Sequence, residues 1–193
     1  MVPHPTARAL MWNIPNLLTL LRVLMIPVVM VLIQDDPTRE EAALAAGVFV
    51  LAMLTDLLDG YLARKWNQTS PLGAYLDPLA DKLMVAAVLI MLIPLGWAPA
   101  WLVFILLARE MAITGLRGLA SQQGWVLAAG TMGKIKTTYQ TVALTLLLLH
   151  YPLFGVDLHS AGIVLLWFAT FFAMTSAIEY FALVIQAARG RAS

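Results

Sequence analysis

Apolar residues run along this chain in long blocks, and polar residues gather where the blocks break. A helix that crosses a membrane needs about 20 mostly apolar residues, or ~30 Å at 1.5 Å per residue. Six stretches meet that requirement, approximately residues 14–33, 42–65, 71–95, 98–120, 131–152 and 160–188. They are too long for barrel strands and lack strand alternation, so all six are expected to be helices. Turn residues mark the breaks. Gln34–Asp35–Asp36–Pro37 follows the first block, Pro94, Gly96 and Pro99 divide the third from the fourth, Gly124 and Gly130 precede the fifth, and Pro152 to Gly155 precede the sixth. Ser70 before Pro71 reads as a helix N-cap with proline at the first helical position. The first block carries Arg22 and no small-residue cleavage pattern follows it, so it reads as a span and not as a cleaved leader. No internal repeat is visible, and one domain over residues 1–193 is expected.

Composition sharpens this to a membrane class. Apolar residues make up 61% of the chain and charged ones 12%, with a mean hydropathy of +0.84. Soluble domains are nearer one-quarter charged, so this chain lacks the polar surface that water would require. The absence of cysteine excludes a disulfide scaffold, and a formal net charge of +1 argues against nucleic acid as the main partner. With the N-terminus placed in the cytoplasm, Arg39 alone of the twelve Lys and Arg falls on the outer side. The expected fold is therefore an all-α membrane protein of six transmembrane helices with both termini cytoplasmic. The segment holding Ala7, Leu10, Met11 and Trp12 is expected either to lie along the inner surface as a short amphipathic helix or to form a flexible tail. Trp12, Trp66, Trp97, Trp101 and Trp125 fall near the expected interfaces, whereas Trp167 is mid-span and reads as packing.

Acids within the apolar blocks change the picture more than composition does. Asp35, Asp36, Glu40, Glu41 and Asp157 lie in outer loops, while Asp56, Asp59, Asp77, Asp81, Glu110 and Glu179 fall inside the blocks. Asp56 and Asp59 are spaced i,i+3 and Asp77 and Asp81 i,i+4, so each pair shares one helix face. Measured along the second block, Asp56 and Asp59 lie roughly 21 and 25 Å from its outer end. Along the third, Asp77 and Asp81 lie about 9 and 15 Å from its inner end. All four are thereby expected in the cytoplasmic half of the bilayer on adjacent antiparallel helices. An ionised acid at mid-helix costs on the order of 2.5–3.5 kcal/mol on insertion scales. Two divalent cations would balance four carboxylates, and an all-oxygen set suits Mg²⁺ or Mn²⁺ over zinc. Paired hard cations on aspartates point to phosphoryl-type transfer. Two other readings stand beside this one: a cation or proton transporter using the same acids, and structural pairing with Arg64, Lys65 and Lys82.

The spacing Asp56-x2-Asp59-Gly60-x2-Ala63-Arg64-x8-Gly73-x3-Asp77-x3-Asp81 resembles the full motif of the CDP-alcohol phosphatidyltransferase family. The resemblance implies a six-helix membrane fold, transfer of a phosphatidyl group from a CDP-lipid such as CDP-diacylglycerol to an alcohol, and release of CMP. It also implies a homodimer. Three further stretches are similar to the bacterial branch whose acceptor is glycerol 3-phosphate: Asn13–Ile14–Pro15–Asn16–Leu17–Leu18–Thr19–Leu20–Leu21–Arg22, then Ala108–Arg109–Glu110 with Gly115–Leu116–Arg117, then Gly133–Lys134–Ile135–Lys136–Thr137–Thr138 with Gln140. Branches that make cardiolipin or phosphatidylinositol phosphate share the aspartate motif and differ mainly in the acceptor pocket. On this resemblance the bacterial inner membrane is the expected location, with the active site facing the cytoplasm.

Carried over by position, the family pattern implies that Asp56, Asp59, Asp77 and Asp81 hold the metals and that Asp81 is also the general base. Asp81 lies deepest from its helix start, which agrees with a base that must reach an acceptor hydroxyl. Gly60, Ala63 and Gly73 remove bulk where cytidine and diphosphate approach, and Arg64 is expected to bind them or to pair with an aspartate. Ser70 is expected either to contact phosphate or only to cap its helix. Asn16, Thr19 and Arg22 recur as one helical stripe in the region that the resemblance assigns to the CDP-lipid; polar contact between helices is the other reading of Asn16 and Thr19. The acceptor phosphate requires cations, for which Arg117 and Lys134 come first and Arg109 and Lys136 second. Glu110 is expected to balance Arg109, and Glu179 to pair with a neighbouring helix. His4, His150 and His159 are expected at the interface or in solvent.

Overall fold

The computed structural model describes residues 14–66, 71–125 and 131–189, with the side chains at 14–16, 57–66 and 71–75 outside the described set. Among the described residues there are six helices: α1 (Ile14–Leu32), α2 (Arg39–Trp66), α3 (Pro71–Met91), α4 (Ala100–Gln122), α5 (Thr131–Leu149) and α6 (Leu158–Arg189). Their order and rough extent follow the six apolar blocks, and the fold is all-helical. An isolated bridge between Leu153 and Val156, inside the α5–α6 turn, is the only β feature described. Ser70 and the segment ahead of Asn13 lie outside the described residues, whereas Pro71 does open α3.

Helix ends depart from the apolar blocks where capping chemistry takes over. The second helix starts three residues before its block because Thr38 and Glu41 form a capping box. Glu41 Oε2 accepts from the Thr38 amide at 2.8 Å, and Thr38 Oγ1 accepts from the Glu41 amide at 3.3 Å. The Thr38 hydroxyl, then its amide, hold the exposed Glu41 carboxyl below the usual range. At the start of α6 the Ser160 hydroxyl and amide both donate to Asp157, which likewise lowers that carboxyl. At the other end of α4, Gly124 takes φ +70°, which lets Trp125 N–H reach Ala120 O at 2.8 Å and close the helix. Asp35 and Asp36, with φ of 51° and 61°, turn the chain after α1.

The chain divides into two compact units, one ending at Met91 and the other beginning at Leu92. In the first, α1 packs against both α2 and α3. The buried stripe of α2 is Ala42, Ala45, Ala46, Phe49 and Ala52, four alanines that let a neighbour approach closely around one large aromatic ring. In the second unit α5 and α6 form the tightest pair, and α4 packs on α6. Trp97 stacks on His150 with ring centroids 3.9 Å apart, and His159 packs edge-on to His150, fastening the turn between α5 and α6. Trp167 packs against Trp101, as expected of a mid-span tryptophan, yet half of it is exposed.

By length and composition one helix among the described residues, α6, is long and apolar enough to cross a membrane. Among the described residues α1 adds a shorter apolar segment, Leu17–Leu32. Every helix nevertheless turns large apolar side chains outward, among them Val31, Leu44, Leu83, Phe104, Val142 and Ile178. Apolar exposure on this scale marks a surface that faces something other than water.

Close approach of α5 and α6 depends on Gly162. A Cβ built there would lie 2.8 Å from Leu147 Cγ and 3.1 Å from the Leu147 backbone nitrogen. Gly162→Ala is expected to lower stability by about 1–3 kcal/mol through overpacking, read as thermal unfolding in detergent. Combining it with Leu147→Ala should worsen stability by less than the two separate losses added together, because the double change removes the closest, side-chain part of the clash.

Candidate active site

Thr19 and Arg22 stand one turn apart on α1 and are buried, at 2% and 0% exposure. Arg22 Nη1 lies 2.9 Å from Asp56 Oδ1, and its Nε donates to Ala52 O at 3.3 Å, one turn earlier on α2. The Thr19 hydroxyl donates to Asp77 Oδ1 on α3. One stripe of α1 thus gathers carboxylates from two different helices. The sequence pattern placed Thr19 and Arg22 on a common face, which the family resemblance assigned to the CDP-lipid, with polar contact between helices as the other reading of Thr19. In the structure both are turned inward onto aspartates, because a buried guanidinium or hydroxyl must find an acceptor.

Asp81 lies one turn beyond Asp77 on α3, and Asp56, Asp77 and Asp81 are each partly buried. Asp59, Gly60, Ala63 and Arg64 continue α2 beyond Asp56, and Gly73 lies in the first turn of α3. The side chains of Asn16, Asp59, Ala63 and Arg64 lie outside the described set, as does Ser70. Among the described residues no three acids or histidines close into a metal-binding group. The donor chemistry still fits a hard cation: the described members are carboxylates alone, two of them drawn to one stripe, with Asp56 36% exposed and therefore open to a ligand.

A second polar cluster occupies the other unit. Arg109, 9% exposed, donates from Nε to Ala173 O, from Nη1 to Glu110 Oε2 and from Nη2 to Ser176 Oγ, each at 3.1 Å. Lys136, 8% exposed, donates from Nζ to the same Glu110 oxygen at 3.0 Å. Glu110 therefore balances two buried cations, from α4 and α5, where the sequence suggested one. Arg117 and Lys134, the first candidates for an acceptor phosphate, are exposed, and Arg117 lies over the Tyr180 ring at 5.6 Å from its centroid. Glu179 is exposed on α6 with no ion-pair partner among the described residues, so the expected pairing does not occur there. Ser176, which the sequence reading passed over, is a hydroxyl in an apolar run, and only the fold reveals that Arg109 uses it.

The first unit thus holds a carboxylate cluster and the second a pair of buried cations on Glu110. The sequence profile of the CDP-alcohol phosphatidyltransferase family matches residues 12–175, and the chain belongs to that family. It is 42% identical over 182 residues to the CDP-diacylglycerol–glycerol-3-phosphate 3-phosphatidyltransferase of Bacillus subtilis, covering 89% of this chain and 94% of the relative. It is 37% identical over 174 residues to the protein of the same name from Rickettsia typhi, covering 89% and 96%. A probable phosphatidylglycerophosphate synthase of Mycobacterium tuberculosis is 36% identical over 181 residues, covering 93% and 85%.

Glu110→Gln would leave Arg109 and Lys136 buried with no shared anion. The expected loss is about 1–3 kcal/mol, measured by thermal unfolding. Adding Lys136→Met should return part of it, since one of the stranded cations is then gone.

Proposed function

We propose that the chain transfers the phosphatidyl group of CDP-diacylglycerol to sn-glycerol 3-phosphate, giving phosphatidylglycerol phosphate and CMP in phospholipid biosynthesis. The observation that carries this reading is the gathering of Asp56 and Asp77, two members of the family motif, onto the Thr19–Arg22 stripe of α1. The names of its relatives support glycerol 3-phosphate as the acceptor.

In this reading the acceptor's primary hydroxyl attacks the β-phosphorus, which bears the diacylglycerol. The bond from that phosphorus to the bridging oxygen breaks, and CMP departs with the electron pair. Asp81 takes the hydroxyl proton. Asp56, Asp59, Asp77 and Asp81 would hold two divalent cations, Mg²⁺ or Mn²⁺, which when bound supply positive charge for the diphosphate and the departing CMP. Gly60, Ala63 and Gly73 leave room for cytidine and diphosphate, with Arg64, Ser70 and Asn16 as polar contacts. Thr19 and Arg22 serve the carboxylates. Arg109, Arg117, Lys134 and Lys136 are the candidates for the acceptor phosphate; Arg117 and Lys134 are the more open to it, since Arg109 and Lys136 already share Glu110. Direct displacement is favoured because the motif holds no Ser, Cys or His nucleophile.

The six helices are read as six spans of a bacterial inner-membrane protein, with both termini and the aspartates on the cytoplasmic side and a homodimer as the working form. Outward apolar side chains on every helix and the sorting of Lys and Arg support this topology. The family match runs through both units, which supports one functional domain.

CMP release by the purified protein, with CDP-diacylglycerol and a panel of acceptors, tests the reading. Glycerol 3-phosphate alone should support release, and a chelator should stop it. Release only with phosphatidylglycerol would favour cardiolipin synthesis, and ion flux in liposomes without any CDP-lipid would favour a transporter. Asp81→Asn is expected to lower turnover by about 10²–10⁴-fold while the protein still inserts and folds; near-normal turnover would remove Asp81 from the chemistry.

A further inference from the structure

We propose that Arg22 is a positioning residue and built-in counter-ion for Asp56, whose charge weakens the hold of the carboxylates on divalent cations. This rests on the reading of the aspartates as metal ligands. Arginine stays protonated in proteins, and a fully buried one requires an anion. The guanidinium of Arg22, at 0% exposure, is fixed to α2 at two points, Asp56 Oδ1 at 2.9 Å and Ala52 O at 3.3 Å. Asp56, by contrast, keeps 36% of its side chain exposed. The carboxylate is therefore shared between a permanent cation on its buried side and whatever approaches from the open side.

The neighbouring contact differs in kind. Thr19 meets Asp77 with a neutral hydroxyl, which orients the carboxylate and leaves its charge intact. Arg22 orients Asp56 and also spends part of its negative charge. Any divalent cation that ligates Asp56 must do so against the fixed positive charge of the guanidinium, in a setting where solvent screens poorly. Removing that charge strengthens cation binding and at the same time strands Asp56 whenever no cation is bound. A residue that only held the helices together would leave cation affinity unchanged, and one that only aimed Asp56 would weaken binding when lost.

The test measures Mn²⁺ binding to the purified full-length protein, by the electron paramagnetic resonance signal of free Mn²⁺, together with thermal unfolding in chelator and in saturating Mn²⁺. Arg22→Gln, which can still donate to Ala52 O, is expected to bind Mn²⁺ at least about tenfold more tightly than wild type. Its Tm should fall in chelator and recover most of that fall in Mn²⁺. Binding equal to or weaker than wild type overturns the proposal. If wild type binds no Mn²⁺, the metal reading and this proposal fall together, whereas binding by wild type without tightening in the variant removes this proposal alone. Should Arg22→Gln fail to fold in chelator, Arg22→Gln with Asp56→Asn removes both charges. Recovery of folding then supports the pairing, and continued failure overturns it.

Discussion

An ionised side chain inside an apolar helix bundle must find its partner on a neighbouring helix, and that constraint organises both units. Leucine and alanine faces tolerate small slides and rotations of one helix on another, because one apolar contact replaces a similar one. A guanidinium that must reach a particular carboxylate does not. In the first unit α1 carries the polar stripe, and both other helices pack against it. In the second, Arg109 joins α4 to α6 through Ala173 and Ser176, and Glu110 joins α4 to Lys136 of α5. Polar contacts fix the register, and apolar contacts fill the space around it.

The two clusters differ in which sign of charge they bury. Around α1 the carboxylates are partly open and their partners are buried. Around Glu110 the cations are buried and the carboxylate is the more open member, at 28% exposure. The first arrangement presents negative charge outward. The second neutralises much of its positive charge internally and leaves Arg117 and Lys134 as the exposed cations of α4 and α5.

The helices were legible in the sequence because long apolar runs and turn residues are local signals. Their ends were less so. The block pattern begins the second helix at 42, since Arg39, Glu40 and Glu41 are polar, yet the Thr38 box extends it backward. The aspartates stood out as charges in apolar surroundings. Helical periodicity also put Thr19 and Arg22 on one face, but periodicity says which residues share a face and not which helix will cover it. Their partners lie 30 residues and more away in the chain, and only packing brings them together. The same limit explains Ser176, and why the sequence paired Glu110 with its neighbour Arg109 but not with Lys136, 26 residues away.

The capping box at Thr38 gives α2 a fixed zero from which the position of Asp56 is counted. From that zero the chain climbs about 27 Å of helix to the carboxylate. Each residue adds about 100° of rotation, so phase and height are set together. One residue inserted or deleted between the two would swing Asp56 away from Arg22 and carry every later member of the motif on α2 with it. The short turn ahead of α2 is thus a calibration point for the Arg22–Asp56 pair, and the length of chain between them is as constrained as the aspartate itself.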